Sequence, residues 1–244
     1  MLIVNADDWG LRRDVTDPIA ECWQAGGITT ASAMVEMADS VRAFDLAASL
    51  GLPLGLHLNL TFPFDAAAGA EVGERQRRAV DYFAGSRWRR YGFDPRARAM
   101  LDRAVADQLA AFAREAGAAP HHADGHQHIQ TCPSVLSCRS LGAIAGLREA
   151  HALAAGRSRA KTTYRAAVNR AIRARFRSVP FFSLRDLHPA LGGSGLDRLR
   201  ELARRGPVEV MTHPAWEDER QVLLSEDWLR LLGELPTGTH DDVC

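Results

Sequence analysis

The chain has 244 residues, of which 46% are hydrophobic and 25% are charged, a composition typical of a globular protein that buries a large core. Its 30 Lys and Arg residues balance its 30 Asp and Glu residues, so no net charge attracts nucleic acid or an anionic membrane. No apolar run is long enough for membrane insertion, no basic leader precedes the first strand, and the four cysteines form no CxxC pair, so a reducing, cytoplasmic location is expected.

Strand-like and helix-like segments alternate through the first half of the chain. In order, the pattern predicts a strand at Leu2–Val4, a helix over 14–25, a strand within 29–37, a helix over 40–50 and a strand over 54–60. Residues 62–95 are rich in Gly, Arg and aromatic residues, and we expect an excursion over the surface there. Strong helical periodicity follows over 96–116 and ends near Gly117.

The second half of the chain is less regular. In order, it predicts a strand and its exit in HHADGHQHIQ (121–130), mostly helix over 134–155, a strand at Val179–Leu184, a helix over 195–205 and a strand over 208–212. The strand that the alternation demands cannot be placed in the atypical segment of about 134–180. Strands and helices in turn still predict a single α/β domain over 1–244, with a mainly parallel sheet that is open or closed into a barrel.

Residues suited to metal binding or acid–base chemistry follow four of the predicted strands. They are Asp7 and Asp8 in NADDWG, His57 in GLHLNL, Asp124, His126 and His128 in DGHQH, and His213 in EVMTHP. Because active sites of parallel sheets form at the carboxyl ends of the strands, the fold would gather these side chains around one cavity. If DGHQH continues the strand, its Asp and both His share one face. An Asp with two His matches a hydrolytic site for a divalent metal ion.

Each of these features also has an ordinary explanation when it is taken alone. The NADDWG aspartates could cap the next helix, His57 between leucines could be a satisfied core residue, and His213 before Pro214 could belong to a turn. The stretch from Arg157 to Arg177 contains no acidic residue, and could form a solvated helix face or the basic rim of a cleft for an anionic substrate. The sequence contains no GxSxG elbow, P-loop or GxGxxG fingerprint.

Four motifs together resemble the YdjC-like carbohydrate deacetylase family, which includes chitooligosaccharide deacetylases and hopanoid-biosynthesis-associated deacetylases. The motifs are IVNADDWG, GLHLNL, the Asp107-Gln108 pair before PHHADGHQHIQTCP, and VEVMTHPAW, and they occur in the family's order over about 2–216. The resemblance implies a distorted (β/α) TIM-like barrel of the polysaccharide deacetylase type. It also implies metal-dependent hydrolysis of the N-acetyl group of an N-acetylated sugar, which could be an oligosaccharide, a glycolipid or an aminosugar in a natural product.

The resemblance also implies roles for individual residues. Asp8, His57 and His126 would ligate one divalent ion, either magnesium or zinc, and Asp7 would be the general base. From the chemistry of the residues, either His213 or His128 could protonate the leaving amine, and Asp124 could orient a ligand histidine from behind. Analogy with the family adds a possible homodimer, with neither nucleic acid nor membrane insertion among the expected partners.

The chain departs from the family pattern at several positions. Trp9 stands where phenylalanine is usual, Gly125 stands where serine is frequent, and the segments after Cys132 match poorly. These differences affect the expected substrate preference more than the expected metal site. Two alternatives therefore stay open: a metal-dependent hydrolase of another amide or of a phosphoester, and a non-catalytic sugar-binding barrel.

Overall fold

A parallel sheet of seven strands forms the centre of the structure, a computed structural model that describes residues 1–65, 68–151, 159–192 and 195–243. The strands are β1 (Leu2–Trp9), β2 (Thr30–Ala33), β3 (Leu54–Leu58), β4 (His122–Gly125), β5 (Gly146–Leu147), β6 (Phe181–Ser183) and β7 (Val208–Thr212). Their order across the sheet is β5-β4-β3-β2-β1-β7-β6, and every pairing is parallel. The sheet curls into a half-barrel, which confirms the predicted α/β class and the distorted (β/α) barrel.

Helices connect the strands and cover the sheet. They are α1 (Arg13–Gln24), α2 (Ser40–Leu50), α3 (Ala70–Ala84), α4 (Arg98–Ala116), α5 (Pro133–Leu136), α6 (Arg159–Arg173), α7 (Leu184–Leu187), α8 (Leu196–Arg205), α9 (Glu217–Leu223) and α10 (Glu226–Glu234). Gly51 and Gly117 end α2 and α4 in the left-handed conformation, which glycine adopts without the strain that a Cβ would cause. Within the described ranges no helix combines the length and the apolar character that crossing a membrane requires.

The core lies on both faces of the sheet. Leu2, Ile3 and Val4 are completely buried, as expected for a central strand of a parallel sheet that helices cover. Trp9 and Trp228 are the largest fully buried side chains, and each indole nitrogen donates a hydrogen bond to a backbone carbonyl, at 3.0 and 2.9 Å. These bonds satisfy the polar tips of two large apolar side chains and so allow complete burial.

Two predicted segments differ from the structure. Residues 62–95 are not only a surface excursion, because α3 lies within them and buries Gln76, Ala79 and Phe83 against the rest of the fold. The prediction of mostly helix over 134–155 is wrong: the described part contains only α5, a 3₁₀ turn at Ser140–Ala143 and β5. Its residues 152–155 lie outside the described residues. The strand that the alternation demanded is β5, whose two residues are too few to leave a periodic pattern.

Candidate metal and catalytic site

The turn at the end of β1 brings two adjacent carboxylates to the same side of the sheet. Neighbouring side chains of a regular strand point to opposite faces. Here the pairing of β1 with β2 shifts register between Ala6 and Trp9, and Asp8 has a φ of 72°. A β-bulge of this kind re-aims a side chain, which is why bulges are common beside active sites. Asp7 and Asp8 therefore both reach His57 on β3.

His57 is buried between the two aspartates that flank its ring. Its Nδ1 lies 2.7 Å from Oδ1 of Asp124, and its Nε2 lies 3.1 Å from Oδ1 of Asp8. Burial by itself would lower the pKa of His57, but the carboxylates of Asp124 and Asp7 outweigh it and raise the pKa well above the usual value. A hydrogen bond from Nδ1 to Asp124 fixes the orientation of the ring, with Nε2 on the side of Asp8.

Asp8 carries a buried oxygen whose charge needs a partner. Oδ1 of Asp8 makes no hydrogen bond within the described residues, although Nε2 of His57 is near. Burial would raise the pKa of Asp8, yet the neighbouring His57 prevails and lowers it. The ionised oxygen of Asp8 faces the ring nitrogen of His57 at 3.1 Å. Such a buried negative charge is stable only when a positive charge lies next to it. That charge is either a proton on His57 or a cation.

The DGHQH segment does not continue as a strand, so the predicted alternation of its side chains is wrong. β4 ends at Gly125, and a 3₁₀ segment over His126–Thr131 follows, with left-handed backbone at Gln127 and His128. His126 nevertheless reaches the site, because its ring centroid lies 5.9 Å from that of His57. Oγ1 of Thr61 is 2.5 Å from Nδ1 of His126, and this contact leaves Nε2 for a ligand.

A buried arginine compensates the carboxylates on the inner side of the site. Arg148 follows β5 and has a fully buried side chain. Its guanidinium binds both oxygens of Asp7 at 2.8 Å, Oδ2 of Asp124 at 2.5 Å and Oε1 of Glu209 at 2.5 Å. Burial would raise the pKa of Asp7, but Arg148 more than offsets it and lowers that pKa. Burial raises the pKa of Glu209 to about 7.

Two different sets of ligand atoms meet in this region. Asp7, His57 and Asp124 place ligand atoms within 4.8 Å of one another, and this buried group could hold a metal ion. In that group the oxygens of both aspartates already contact Arg148. The set predicted from the sequence is Asp8, His57 and His126, and the structure places Asp8 and His126 each next to His57.

Two further histidines lie at the border of the site. The ring of His213, just after β7, stacks on Trp216 at 4.3 Å, and its backbone N–H donates to Oε2 of Glu219 at 2.7 Å. His128 packs near Phe181, with ring centroids 5.7 Å apart. Burial and the nearby Arg148 lower the pKa of His128 to about 4. Nδ1 of each histidine is buried without a hydrogen-bond partner in the described part of the chain.

The sequence did not single out several residues that build the site. Arg148, Glu209 and Thr61 are not among the site residues that the sequence predicts. Ser32 and Asn5 also belong to the site, because Oγ of Ser32 donates to Asp124 at 2.7 Å and Nδ2 of Asn5 donates to Asp7 at 2.8 Å. The available signal was a polar residue inside or directly after an apolar strand, as in IVNAD and VEVMT.

Comparison with known proteins gives one family. The model of the family described as YdjC-like protein matches residues 1–237. A human protein named carbohydrate deacetylase is 35% identical over 148 residues, which cover 55% of this chain and 42% of the human protein. A chitooligosaccharide deacetylase of Yersinia pestis (strain Pestoides F) is 27% identical over 136 residues, which cover 55% of this chain and 52% of that protein. The alignments thus span about half of these relatives' length.

One solved structure shares the fold along the whole chain. It is a protein of Enterococcus faecalis V583 to which cellobiose-phosphate cleavage is provisionally assigned. The two structures superpose with a TM-score of 0.69 over 100% of this chain and 98% of that chain, at 20% sequence identity. A similarity at this level of identity shows a common fold and carries no statement about a common substrate.

Proposed function

The chain belongs to the YdjC-like protein family, and from this membership we propose that it is a carbohydrate deacetylase that hydrolyses the N-acetyl group of an N-acetylated sugar. The proposal is supported by relatives that are named carbohydrate deacetylase and chitooligosaccharide deacetylase. The observation that carries it is the meeting of Asp8, His57 and His126 beside a second carboxylate, Asp7. A site that only bound sugar would not need that carboxylate.

We assign a divalent metal ion to Asp8, His57 and His126 rather than to the group that includes Asp7 and Asp124. Arg148 already binds Asp7 and Asp124, whereas the buried Oδ1 of Asp8 makes no hydrogen bond in the described part of the chain and faces Nε2 of His57. Two atoms bound tetrahedrally to one zinc ion lie about 3.4 Å apart, and Oδ1 of Asp8 is 3.1 Å from Nε2 of His57, so a small movement would fit the ion. Two imidazoles and one carboxylate favour zinc over magnesium.

Asp124 and Thr61 support the two ligand histidines from behind. Asp124 accepts from Nδ1 of His57, and Thr61 bonds Nδ1 of His126. Each contact fixes the orientation of a ring and directs its Nε2 to the ligand side. When bound, the ion would supply Lewis acidity, which polarises the acetamide carbonyl and lowers the pKa of a water molecule.

Asp7 is the proposed general base, and Arg148 holds it in place. The guanidinium keeps the carboxylate ionised and fixes its plane. Each carboxylate oxygen has two lone pairs, so Asp7 can still accept a proton from the attacking water. Its lowered pKa makes it a weak base, so a bound metal ion would have to lower the pKa of the water molecule that Asp7 deprotonates.

His213 is the better candidate for the acid that protonates the leaving amine. A general acid must carry its proton near neutral pH, and His128, with a pKa lowered to about 4, does not. His213 lies near Asp7 and Asp8 at the border of the site. Its stacking on Trp216 restricts the ring to one plane and leaves the ring edges free of the stack.

The test is acetate release from a panel of N-acetylated sugars by metal-stripped protein and by the same protein after zinc or magnesium is restored. We expect acetate only with restored metal. Release of phosphate from phosphoesters without acetate would assign the site to the rival phosphoester reaction. Sugar binding without bound metal and without turnover would instead identify a non-catalytic barrel.

A further inference from the structure

Three large aromatic side chains are exposed close together in the segment that follows α3. Trp88, Tyr91 and Phe93 expose 67%, 53% and 55% of their surface. Single exposed apolar residues are common on folded proteins, but a cluster of them marks a surface that binds a partner. The rings of Trp88 and Tyr91 contact each other, with centroids 6.2 Å apart, so they form one continuous apolar surface.

Arginines accompany these rings, and no carboxylate lies among them. The stretch from Ala84 to Phe93 contains Arg87, Arg89 and Arg90 but neither Asp nor Glu. The guanidinium of Arg87 lies over the ring of Trp88, 5.1 Å from its centroid. The aromatic surface therefore carries positive charge within its own apolar area.

Helix α6 extends the positive charge. Tyr164 of α6 meets Tyr91 edge to face, with ring centroids 5.6 Å apart, and Lys161 lies three residues earlier on the same face of the helix. The stretch from 159 to 177 contains neither Asp nor Glu. The first carboxylate after the aromatic segment, that of Asp94, is half-buried against Tyr82, whose hydroxyl donates to it at 3.2 Å. We call Arg87, Trp88, Tyr91, Phe93 and Lys161 the aromatic–basic surface.

The charge of the aromatic–basic surface decides which kind of partner can cover it. A second copy in a symmetric dimer would place this surface against itself. Arg87 and Lys161 of one copy would then face the same cations of the other, and like charges repel strongly when a contact excludes water. The partner must therefore be negatively charged and must also accept aromatic side chains.

The orientation of the rings favours a lipid surface over a nucleic acid. Bases stack on the faces of successive aromatic side chains. Here the ring planes of Trp88 and Tyr91 differ by 60°, those of Tyr91 and Tyr164 differ by 72°, and Arg87 covers one face of Trp88. The headgroup region of a membrane imposes no common plane, since it surrounds the apolar body and the polar tip of each ring. Basic side chains beside such rings bind anionic lipids.

We propose that the aromatic–basic surface docks the protein on a membrane that contains anionic phospholipids. Trp88, Tyr91 and Phe93 enter the headgroup region, and Arg87 and Lys161 contact lipid phosphates. The chain as a whole has no net charge, so the attraction is local and acts over about one Debye length, roughly 10 Å. Docking goes beyond the proposed deacetylase function and does not depend on it.

Cosedimentation of the protein with vesicles tests the proposal. Vesicles of phosphatidylcholine alone are compared with vesicles of phosphatidylcholine and phosphatidylglycerol in equal parts. We expect at least tenfold tighter binding to the anionic vesicles at low ionic strength, and weaker binding as salt is added, because salt screens exposed charges. The tryptophan emission of the wild type should move to shorter wavelength with the anionic vesicles, because Trp88 leaves water.

Substitutions separate the contribution of charge from that of the rings. Each basic residue near an anionic membrane strengthens binding about fivefold, so Arg87→Glu, which reverses a charge, should weaken binding about tenfold or more. Trp88→Ala should weaken it about tenfold and remove the shift in emission. Arg204→Glu on α8 and Val41→Ser on α2 change exposed residues outside the aromatic–basic surface, and both variants should bind like the wild type.

The proposal is overturned by equal binding to the two kinds of vesicle, by equal losses in Arg87→Glu and Arg204→Glu, or by unchanged binding in Trp88→Ala. Circular dichroism of each variant excludes loss of the fold as the cause. A protein that ignores both vesicles but self-associates or binds single-stranded RNA through Trp88 has another partner at this surface, and the proposal is then wrong. None of these measurements involves turnover, so acetate release tests the deacetylase function separately.

Discussion

The two aspartates that end β1 have different surroundings although they are adjacent in sequence. Asp7 is bound by the guanidinium of Arg148 and by the amide of Asn5. Asp8 has left-handed backbone and turns a buried oxygen toward His57 without a hydrogen bond. This difference in surroundings is the physical basis for giving Asp8 to the metal ion and Asp7 to proton transfer.

Amide substitution should separate these two roles. Asp8→Asn removes the charge that a ligand supplies, and we expect loss of bound metal and a decrease in turnover of more than about a hundredfold, since even residues behind the ligands contribute 10–100-fold. Asp7→Asn should lose turnover to a similar degree but keep near-normal metal content. Metal analysis and acetate release, with thermal unfolding as a check on the fold, measure both. Metal loss in Asp7→Asn alone would reverse the assignment.

Thr61 provides a test of the support behind His126. Thr61→Val keeps the shape of the side chain and removes the hydroxyl that bonds Nδ1 of His126, so the ring loses its fixed orientation. We expect metal affinity to fall about 10–100-fold. Thr61→Ser, which keeps the hydroxyl, should remain near wild type in a metal titration. Equal affinity in the Val and Ser variants would show that the hydroxyl does not orient the ligand.

At the scale of elements, two glutamines hold the segment that follows β3. Gln108 of α4 accepts from the backbone N–H of Asn59 at 2.8 Å and donates to the carbonyl of the same residue. Gln76 of α3 donates to the carbonyls of Asn59 and Phe62, both at 2.7 Å. These bonds position Thr61 and thereby His126, so α3 contributes to the site although its sequence resembles a surface segment.

Gln108→Leu should therefore destabilise the protein. The substitution leaves the buried N–H of Asn59 without an acceptor, at a cost of about 1–3 kcal/mol in the free energy of unfolding. Gln→Leu otherwise conserves volume, so packing should change little. Urea unfolding measures the difference, with Gln221→Leu on the exposed side of α9 as the control. A decrease in the free energy of unfolding no larger than that of the control would show that Gln108 does not hold the segment after β3.

The elements themselves were predictable where periodicity was strong. The spacing of apolar residues predicts β1, α1, α2, β3, α4, α8 and β7. The polar residues at the ends of the predicted strands identify most of the site. β5 was not predictable because a two-residue strand has no period. The path of DGHQH was missed because left-handed backbone at Gln127 and His128 is set by tertiary contacts rather than by local propensity. Arg148 was missed for the same reason, since only the fold brings it to Asp7.

At the scale of the whole molecule, the C-terminal segment packs against the first residues of β1 and β4. There its His240 forms a buried pair with His122. The backbone N–H of Leu2 donates to the carbonyl of Pro236 at 2.7 Å, and the ring of His240 stacks on that of His122 at 3.7 Å. A Cβ on Gly55 would lie 2.2 Å from the His122 ring, so only glycine admits the ring beside β3. Burial lowers the pKa of both histidines, that of His240 to about 3.

This pair should make the protein less stable in mild acid. Both histidines are neutral in the fold, whereas in the unfolded chain they bind protons near pH 6.5. The stability that depends on the neutral pair is therefore fully present above about pH 6.5. It is lost as the pH falls toward the pKa of the folded state, by about 1.4 kcal/mol per pH unit for each histidine.

His240→Phe keeps a ring in the stack and should remove one of the two histidine contributions to the pH dependence of stability. We expect a smaller decrease in the urea-unfolding free energy between pH 7 and pH 5 than in the wild type. An unchanged pH slope would show that His240 is not held neutral in the fold.

The central claim is that one divalent ion is held by Asp8, His57 and His126, and anomalous diffraction from crystals soaked in zinc tests it most directly. A single anomalous peak within bonding distance of Oδ1 of Asp8 and of Nε2 of both histidines is the predicted result. A peak between Asp7, His57 and Asp124 instead, or none near His57, would contradict the account.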